Sequence, residues 1–185
     1  MLERLLGDQV QPSGRYLAEV IYGANDGIVT TFAVVSGVAG AALDPAIVLV
    51  LGVANLLADG FSMGMSNYLS RRSEIDYQRS KRADPEATDP PSNPGDGKSP
   101  RRTALVTFLA FVVAGWTPLT PYVFDLAPLY PLSIAFTGVA FFLVGASRSL
   151  VTRRRWYVNG AEMLAVGMAA AAVAFAVGRL LEGVA

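Results

Sequence analysis

Two aspartates lie inside the two most apolar stretches of this chain, and each is surrounded by small residues. Asp26 lies in Tyr22-Gly-Ala-Asn-Asp-Gly27, and Asp59 lies in Ala58-Asp-Gly-Phe-Ser-Met-Gly64. A carboxylate inside a bilayer span costs about 2.5–3.5 kcal/mol on insertion scales, so it usually marks an ion path, a proton path or a catalytic group. The pair, with methionines one helical turn away, predicts a cation-transport site.

Further oxygen and sulfur donors follow the same helix faces. Glu19 comes seven residues before Asp26 and therefore lies almost on the same face of a helix. Asn55, Asp59 and Met63 are spaced by four residues and form a second stripe. Glu74 and Glu162 are further acidic residues expected near the entrance. The predicted metal ligands are Asp26, Met63, Asp59, Glu19, Asn55, Glu74 and Glu162.

Five of these residues also have a structural interpretation. Asp26 could cap a helix that begins at Gly27, and Asp59 could hydrogen-bond to a neighbouring helix. Met63 could simply fill a gap in an apolar core. Glu19 could be solvated at the head groups, and Glu162 could be a favourable charge at a helix N-terminus.

The composition indicates a membrane protein and excludes several kinds of chemistry. Hydrophobic residues make up 52% of the chain and charged residues 16%, against about 25% charged residues in soluble domains. Because the chain has no cysteine and no histidine, Cys or His catalysis and zinc sites built on these residues are excluded. No permanently bound cofactor is expected, and nucleic-acid binding is disfavoured because the basic residues lie beside apolar spans.

Five apolar segments must position these side chains. They cover about residues 17–43, 46–69, 103–119, 126–146 and 160–181, and each is long enough to cross a ~30 Å hydrocarbon core as a helix. This predicts an all-α integral membrane protein with one transmembrane domain over residues 1–185. Prolines and polar residues predict a flexible cytoplasmic loop over residues 76–100.

The distribution of Lys and Arg predicts the orientation. Basic residues precede the first span and fill the second-to-third and fourth-to-fifth loops, whereas the loops after the first and third spans contain none. The positive-inside rule then places the N-terminus in the cytoplasm and the C-terminus outside. Helical rise puts Asp26 and Asp59 about 16 Å and 18 Å from the cytoplasmic end of their helices, so we expect the two carboxylates at one level.

Two segments resemble the vacuolar iron transporter family, which includes the yeast-type iron and manganese carriers and the nodulin-like proteins. The first runs from Gly23 to Gly40, beginning Gly-Ala-Asn-Asp-Gly-Ile-Val-Thr-Thr-Phe. The second runs from Leu57 to Glu74, beginning Leu-Ala-Asp-Gly-Phe-Ser-Met-Gly-Met. In the fifth span, Gly160-Ala-Glu-Met-Leu-Ala-Val-Gly167 is also similar.

The resemblance implies a five-helix protomer in a homodimer, with the ion path between protomers and lined by the first helices. It implies export of Fe²⁺, and often Mn²⁺, from the cytosol in exchange for protons, with the metal as transported substrate. By position, Asp26 is the metal carboxylate of the first helix, Glu19 the acidic residue before it, and Met63 the thioether of the second helix. Related carriers have a Glu-rich cytoplasmic helical domain, and this chain is a short form without it.

Two other functions remain open from the residues alone. Paired intramembrane aspartates also occur in diaspartyl proteases, but no Gly-x-Gly-Asp or Tyr-Asp motif accompanies them here. A membrane metal sensor or scaffold that does not transport is the other alternative. The composition favours a prokaryotic inner membrane, with a vacuole-like membrane as the second possibility. We expect a non-enzymatic transporter whose partners are a second copy, the bilayer, divalent metal ions and protons.

Overall fold

The computed structural model describes residues 16–83, 98–150, 152 and 154–183, and five long helices lie within this part of the chain. They are α1 (Leu17–Gly40), α2 (Pro45–Ala83), α3 (Pro100–Gly115), α4 (Leu129–Ser147) and α5 (Trp156–Leu181). After α3 come a 3-10 turn, Thr117–Leu119, and a one-turn helix, Thr120–Val123. The described residues contain no strand, so the predicted all-α class is confirmed.

Local signals explain where two of these helices begin. The Asp44 side chain accepts a hydrogen bond from the Ala46 N–H at 2.8 Å, and Pro45 is the first residue of α2. An Asp cap followed by Pro is a favoured helix start, because proline lacks the N–H that would be unsatisfied there. Helix α3 begins in a similar way, with Pro100 following Ser99.

Helix α1 is the central helix of the bundle. All four other long helices pack against it, and Ile28, Phe32 and Val35 on its inner face are at most 1% exposed. Because its neighbours are protein, α1 tolerates Asn, Asp, Thr and Ser residues that a lipid-facing helix would avoid. This explains why the helix with the candidate site is also the least apolar of the predicted spans.

Helices α3 and α4 bury stripes of the same kind against their neighbours. In each, two small hydroxyl residues, a phenylalanine and a glycine follow one another at intervals of four. The stripes are Thr103, Thr107, Phe111 and Gly115 on α3, and Ser133, Thr137, Phe141 and Gly145 on α4. Small residues at intervals of four let helix backbones approach closely, and the phenylalanine fills the space between them.

Four helical segments within the described residues are long and apolar enough to cross a membrane. They are Pro45–Lys81, Pro100–Val123, Leu129–Leu150 and Trp156–Leu181. Helix α1 is not among them, although its 24 residues extend about 36 Å. The sequence predicted five spans, so length and composition support four of them.

The second helix continues well beyond its predicted end near residue 69. It reaches Ala83, so residues 76–83, which were assigned to the flexible loop, are helical instead. Asp76 lies 3.6 Å from both Arg72 and Arg79, and such pairs at intervals of three and four stabilise a helix. Of the rest of the predicted loop, residues 84–97 lie outside the described residues, and Pro100 is already the first residue of α3.

Candidate metal site

Asp26 is a half-buried residue of α1. The next residue, Gly27, packs directly against the backbone of Phe111 on α3, so closely that a Cβ atom at position 27 would collide with it. The hydroxyl of Thr30 donates a hydrogen bond to the Asp26 carbonyl oxygen at 2.9 Å. Asp26 is thus within the continuous helix α1, which begins at Leu17 and not at Gly27, so it is not the cap of a helix beginning there.

Asp59 occupies the equivalent position on α2. It is half-buried and is followed by Gly60, whose Cβ position lies 3.1 Å from the ring of Phe111. Each aspartate therefore precedes a glycine, and both glycines pack on Phe111. This shared contact ties the two helical segments that carry the aspartates to the same residue of α3.

Two neutral donors accompany Asp59 on α2. Asn55 is half-buried, and the nitrogen of its side-chain amide is buried without a hydrogen-bond partner. Met63 is half-buried and packs against the hydrophobic core. Asn55, Asp59 and Met63 are separated by single helical turns along one side of α2, so they can present an amide, a carboxylate and a thioether along one line.

The other three predicted ligands are all paired with basic residues. Glu19 accepts a 2.8 Å hydrogen bond from Lys98, and both side chains are 14% exposed. Glu74 is exposed and lies 2.6 Å from Arg71. Glu162 lies 3.9 Å from Arg148 and 3.6 Å from Arg154.

Glu19 keeps one oxygen without a partner. Its Oε1 atom is bound to Lys98, while Oε2 is buried without a hydrogen bond. A buried carboxylate oxygen that lacks a donor is costly, so the second oxygen is available to a cation or another donor. This pairing was not predicted from the sequence. Lys98 was counted only among the basic residues that indicate the orientation of the protein in the membrane.

Asp26 and Asp59 differ from these three glutamates in having no ion pair within the described part of the chain. Two carboxylates, an amide oxygen and a thioether are donors suited to Mn²⁺, Mg²⁺ or a somewhat softer divalent ion such as Fe²⁺. No group of three or more acidic residues that could hold a metal occurs among the described residues. One copy of the chain thus brings together a pair of carboxylates, and not a larger acidic cluster.

The apolar helices and the carboxylate pair on α1 and α2 define an all-helical integral membrane protein. The chain belongs to the VIT family, whose model matches residues 17–90 and 86–179. The family resemblance that the sequence indicated is therefore confirmed.

Some relatives are similar over a short segment at higher identity, and others over most of the chain at lower identity. A vacuolar iron transporter of Plasmodium berghei (strain Anka) is 46% identical over 67 residues, which cover 36% of this chain and 24% of that protein. Vacuolar iron transporter 1 of Oryza sativa subsp. japonica is 26% identical over 219 residues, covering 92% of this chain and 87% of the relative. Because that alignment is longer than the 185 residues of this chain, the rice protein has segments that are missing here.

Proposed function

We propose that this protein transports a divalent metal ion, Fe²⁺ and also Mn²⁺, across a membrane. One observation carries the proposal: Asp26 and Asp59 each precede a glycine that packs on Phe111, and neither aspartate has a basic partner in the described part of the chain. Unpaired carboxylates in an apolar bundle favour a mobile cation as their counter-charge. The names of the relatives from Plasmodium and rice support iron as the cargo.

The proposed ligand roles follow from the chemistry of each side chain. Asp26 and Asp59 supply the charge that compensates the ion for its lost hydration. Met63 adds a soft donor that favours Fe²⁺ over Mg²⁺, and Asn55 adds an amide oxygen. Glu19, Glu74 and Glu162 act earlier, at the entrance, where each must exchange its basic partner for the arriving ion.

We place all five helices across the membrane, including α1. Its length of 24 residues is sufficient, and its polar residues Thr31 and Ser36 are buried by the helices around it. The basic loops then face the cytosol, so the N-terminus is cytoplasmic and the C-terminus lies outside. In this orientation Glu19, Glu74 and Glu162 lie at the cytosolic entrance, and the metal leaves the cytosol.

A second copy of the chain completes the path in this proposal. Tyr22, Asp26, Val29 and Ala33 form a stripe on α1 that the chain's own helices leave exposed or half-exposed. Two such stripes facing each other would double the number of carboxylates around one ion. This is consistent with the lack of a larger acidic cluster in the described residues of one copy.

Proton exchange is the proposed energy source. Two carboxylates at one depth repel each other, which favours a proton on one of them when no metal is present. A divalent ion displaces that proton and replaces its charge. Release of the metal on the far side would restore protonation, so that metal and protons move in opposite directions.

The proposal also concerns which membrane holds the protein. The composition favoured a prokaryotic inner membrane, with a vacuole-like membrane as the alternative. The names of the relatives include the word vacuolar, which favours the vacuolar membrane between these two.

Metal flux in sealed proteoliposomes tests the function. Fe²⁺ or Mn²⁺ is offered under anaerobic conditions, with a pH-sensitive dye on the opposite side, for the wild type, Asp26→Asn and Asp125→Asn. Asp125 is an exposed acidic residue between α3 and α4 and serves as the matched control. We expect flux with opposite proton movement in the wild type and the control, and a loss of about tenfold or more in Asp26→Asn. Metal binding without flux in the wild type would favour a sensor or scaffold instead.

A further inference from the structure

A cavity of about 420 Å³ lies between α1 and α5. It lies at the end of the bundle where α1 and α5 begin and α4 ends, which we call the basic end. Ile21, Met163 and Val166 contribute apolar lining, and Arg148, Thr152 and Glu162 contribute polar lining. Its volume falls within the range of about 300–1,000 Å³ that is typical of small-molecule sites.

The cavity results from the way in which α1 and α5 cross. At the opposite end of the bundle, Gly178 packs against the backbone of Gly37, and Gly40 packs against the backbone of Phe175. No side chain separates the backbones at these contacts. Toward the basic end, larger residues such as Tyr22 and Val166 line the opening between the two helices, which we call the wedge.

Positive charge exceeds negative charge at the polar part of this cavity. Arg148 and Arg154 both approach the same Oε2 atom of Glu162, at 3.9 Å and 3.6 Å. These distances are longer than a hydrogen bond, and one carboxylate neutralises only one of the two guanidinium groups. Both groups therefore keep N–H donors for an anion, and a phosphate accepts such donors in a bidentate manner.

Aromatic residues mark the depth of the site relative to the bilayer. Trp156 and Tyr157, at the start of α5, are 57% and 44% exposed. Exposed Trp and Tyr residues at the end of an apolar helix are typical of the head-group level. The arginines thus lie at the level of lipid phosphates, and the apolar lining extends from there toward the hydrocarbon.

We propose that this cavity binds an anionic glycerophospholipid, with the phosphate against Arg148 and Arg154 and an acyl chain along Ile21 and Val166. Basic pockets between transmembrane helices are a known type of site for anionic head groups. A zwitterionic lipid fits less well, because its own cation would meet the excess positive charge. The site does not include Asp26 or Asp59, but it shares Glu162 and its paired arginines with the proposed cytosolic entrance of the metal path.

Lipid retention in native mass spectrometry tests the proposal. The full-length protein is titrated in detergent with phosphatidylglycerol or with phosphatidylcholine that carries the same acyl chains. We expect the wild type to retain phosphatidylglycerol in preference to phosphatidylcholine. The ratio of the two retained lipids should fall by about fivefold in Arg148→Gln and likewise in Arg154→Gln. Arg179→Gln is the matched control, since Arg179 is also exposed and paired with a glutamate, Glu182, but lies at the other end of α5.

A second variant tests the apolar part while leaving the arginines intact. Val166→Phe fills the wedge, and we expect it to weaken retention of phosphatidylglycerol although the charges are unchanged. Equal retention of both lipids by the wild type, or equal losses in Arg148→Gln and Arg179→Gln, would overturn the proposal. Efficient cross-linking between two copies of a Val166→Cys variant would do so as well, because a second copy would then occupy the cavity.

Discussion

The ammonium group of Lys98 lies 2.8 Å from Oε1 of Glu19, and both side chains are only 14% exposed. The two residues are 79 positions apart in the chain. Lys98 therefore acts as a tethered cation at a carboxylate that we assign to the entrance of the metal path. A divalent ion that binds Glu19 must displace this ammonium, so the pair sets the effective affinity of the entrance.

Replacing Lys98 should strengthen the first capture of metal. In Lys98→Gln the amide can still donate a hydrogen bond to Glu19, but the competing charge is gone. We expect the half-saturating Mn²⁺ concentration for flux to fall by about fivefold, corresponding to roughly 1 kcal/mol for one ion pair. Initial rates across a range of Mn²⁺ concentrations measure this change.

Lys81→Gln is the control for this prediction, because Lys81 is exposed and lies over the ring of Tyr77 on the far part of α2. Its half-saturating concentration should equal that of the wild type. An unchanged value in Lys98→Gln would show that Glu19 does not take part in capture.

The shared contact on Phe111 predicts a strict size limit at Gly27. A Cβ atom at this position would collide with the Phe111 backbone, and backbone cannot rotate away as a side chain can. Gly27→Ala should therefore lower the unfolding free energy by about 1–3 kcal/mol, the range for overpacked cores. Thermal melting in detergent measures the loss.

Gly138→Ala is the matched control for this steric prediction. Gly138 is also a helical glycine, but its Cβ position lies 3.6 Å from the side chain of Leu164, an ordinary contact distance. This variant should melt at the wild-type temperature or slightly above, since alanine favours helix. Equal melting of Gly27→Ala and the wild type would contradict the close contact that aligns the aspartates.

A partly buried hydrogen bond links α2 to α3 at the basic end. The side-chain amide of Asn67 donates to the hydroxyl of Thr107 at 2.8 Å, and Thr107 in turn donates to the Thr103 carbonyl at 2.9 Å. Thr107→Val removes the hydroxyl and leaves the Asn67 amide without this partner. We expect a loss of about 1–3 kcal/mol in the free energy of unfolding.

A double-mutant cycle separates this hydrogen bond from simple packing loss. Asn67→Leu combined with Thr107→Val removes both polar partners, so the double variant should lose less than the sum of the two single losses. Additive losses in melting experiments would mean that the bond contributes nothing to the packing of α2 on α3.

The proposed dimer predicts which positions approach a second copy. The chain has no cysteine, so Ala33→Cys introduces a single thiol on the half-exposed stripe of α1. Mild oxidation of this variant in membranes should give a dimer-sized band, since disulfides form only when the Cα atoms come within about 7 Å. Val139→Cys, which is 60% exposed on α4, should remain monomeric. Cross-linking at Val139 and not at Ala33 would move the interface to α4.

The helices of the bundle were largely predictable from the sequence, because long apolar segments bounded by charge have few alternatives. The extension of α2 to Ala83 was missed, since its charged residues were interpreted as a loop although they pair at helical spacing. Of the predicted spans, α1 is the one that composition alone does not support. Its polar residues are explained by its central position, which becomes visible only in the assembled bundle.

That Asp26 and Asp59 lie at one level follows from helical rise and a short connection between two adjacent helices, and it stays a prediction. The partner of Glu19 was not predictable, because no local pattern relates Lys98 to a residue so distant in sequence. The pairing of Glu162 with Arg148 and Arg154 was also missed, because it depends on how the loop before α5 folds back onto that helix. Such contacts depend on how helices pack, whereas depth along a helix follows from residue spacing alone.

The central claim is that Asp26 and Asp59 form one metal site, and equilibrium binding of Mn²⁺ tests it most directly. Bound Mn²⁺ is counted by electron paramagnetic resonance for the wild type, Asp26→Asn, Asp59→Asn and the double variant, each checked for intact folding by its melting temperature. We predict that either single substitution removes nearly as much bound Mn²⁺ as the double substitution does. Independent, additive losses from the two substitutions, or undiminished binding in both, would contradict a shared site.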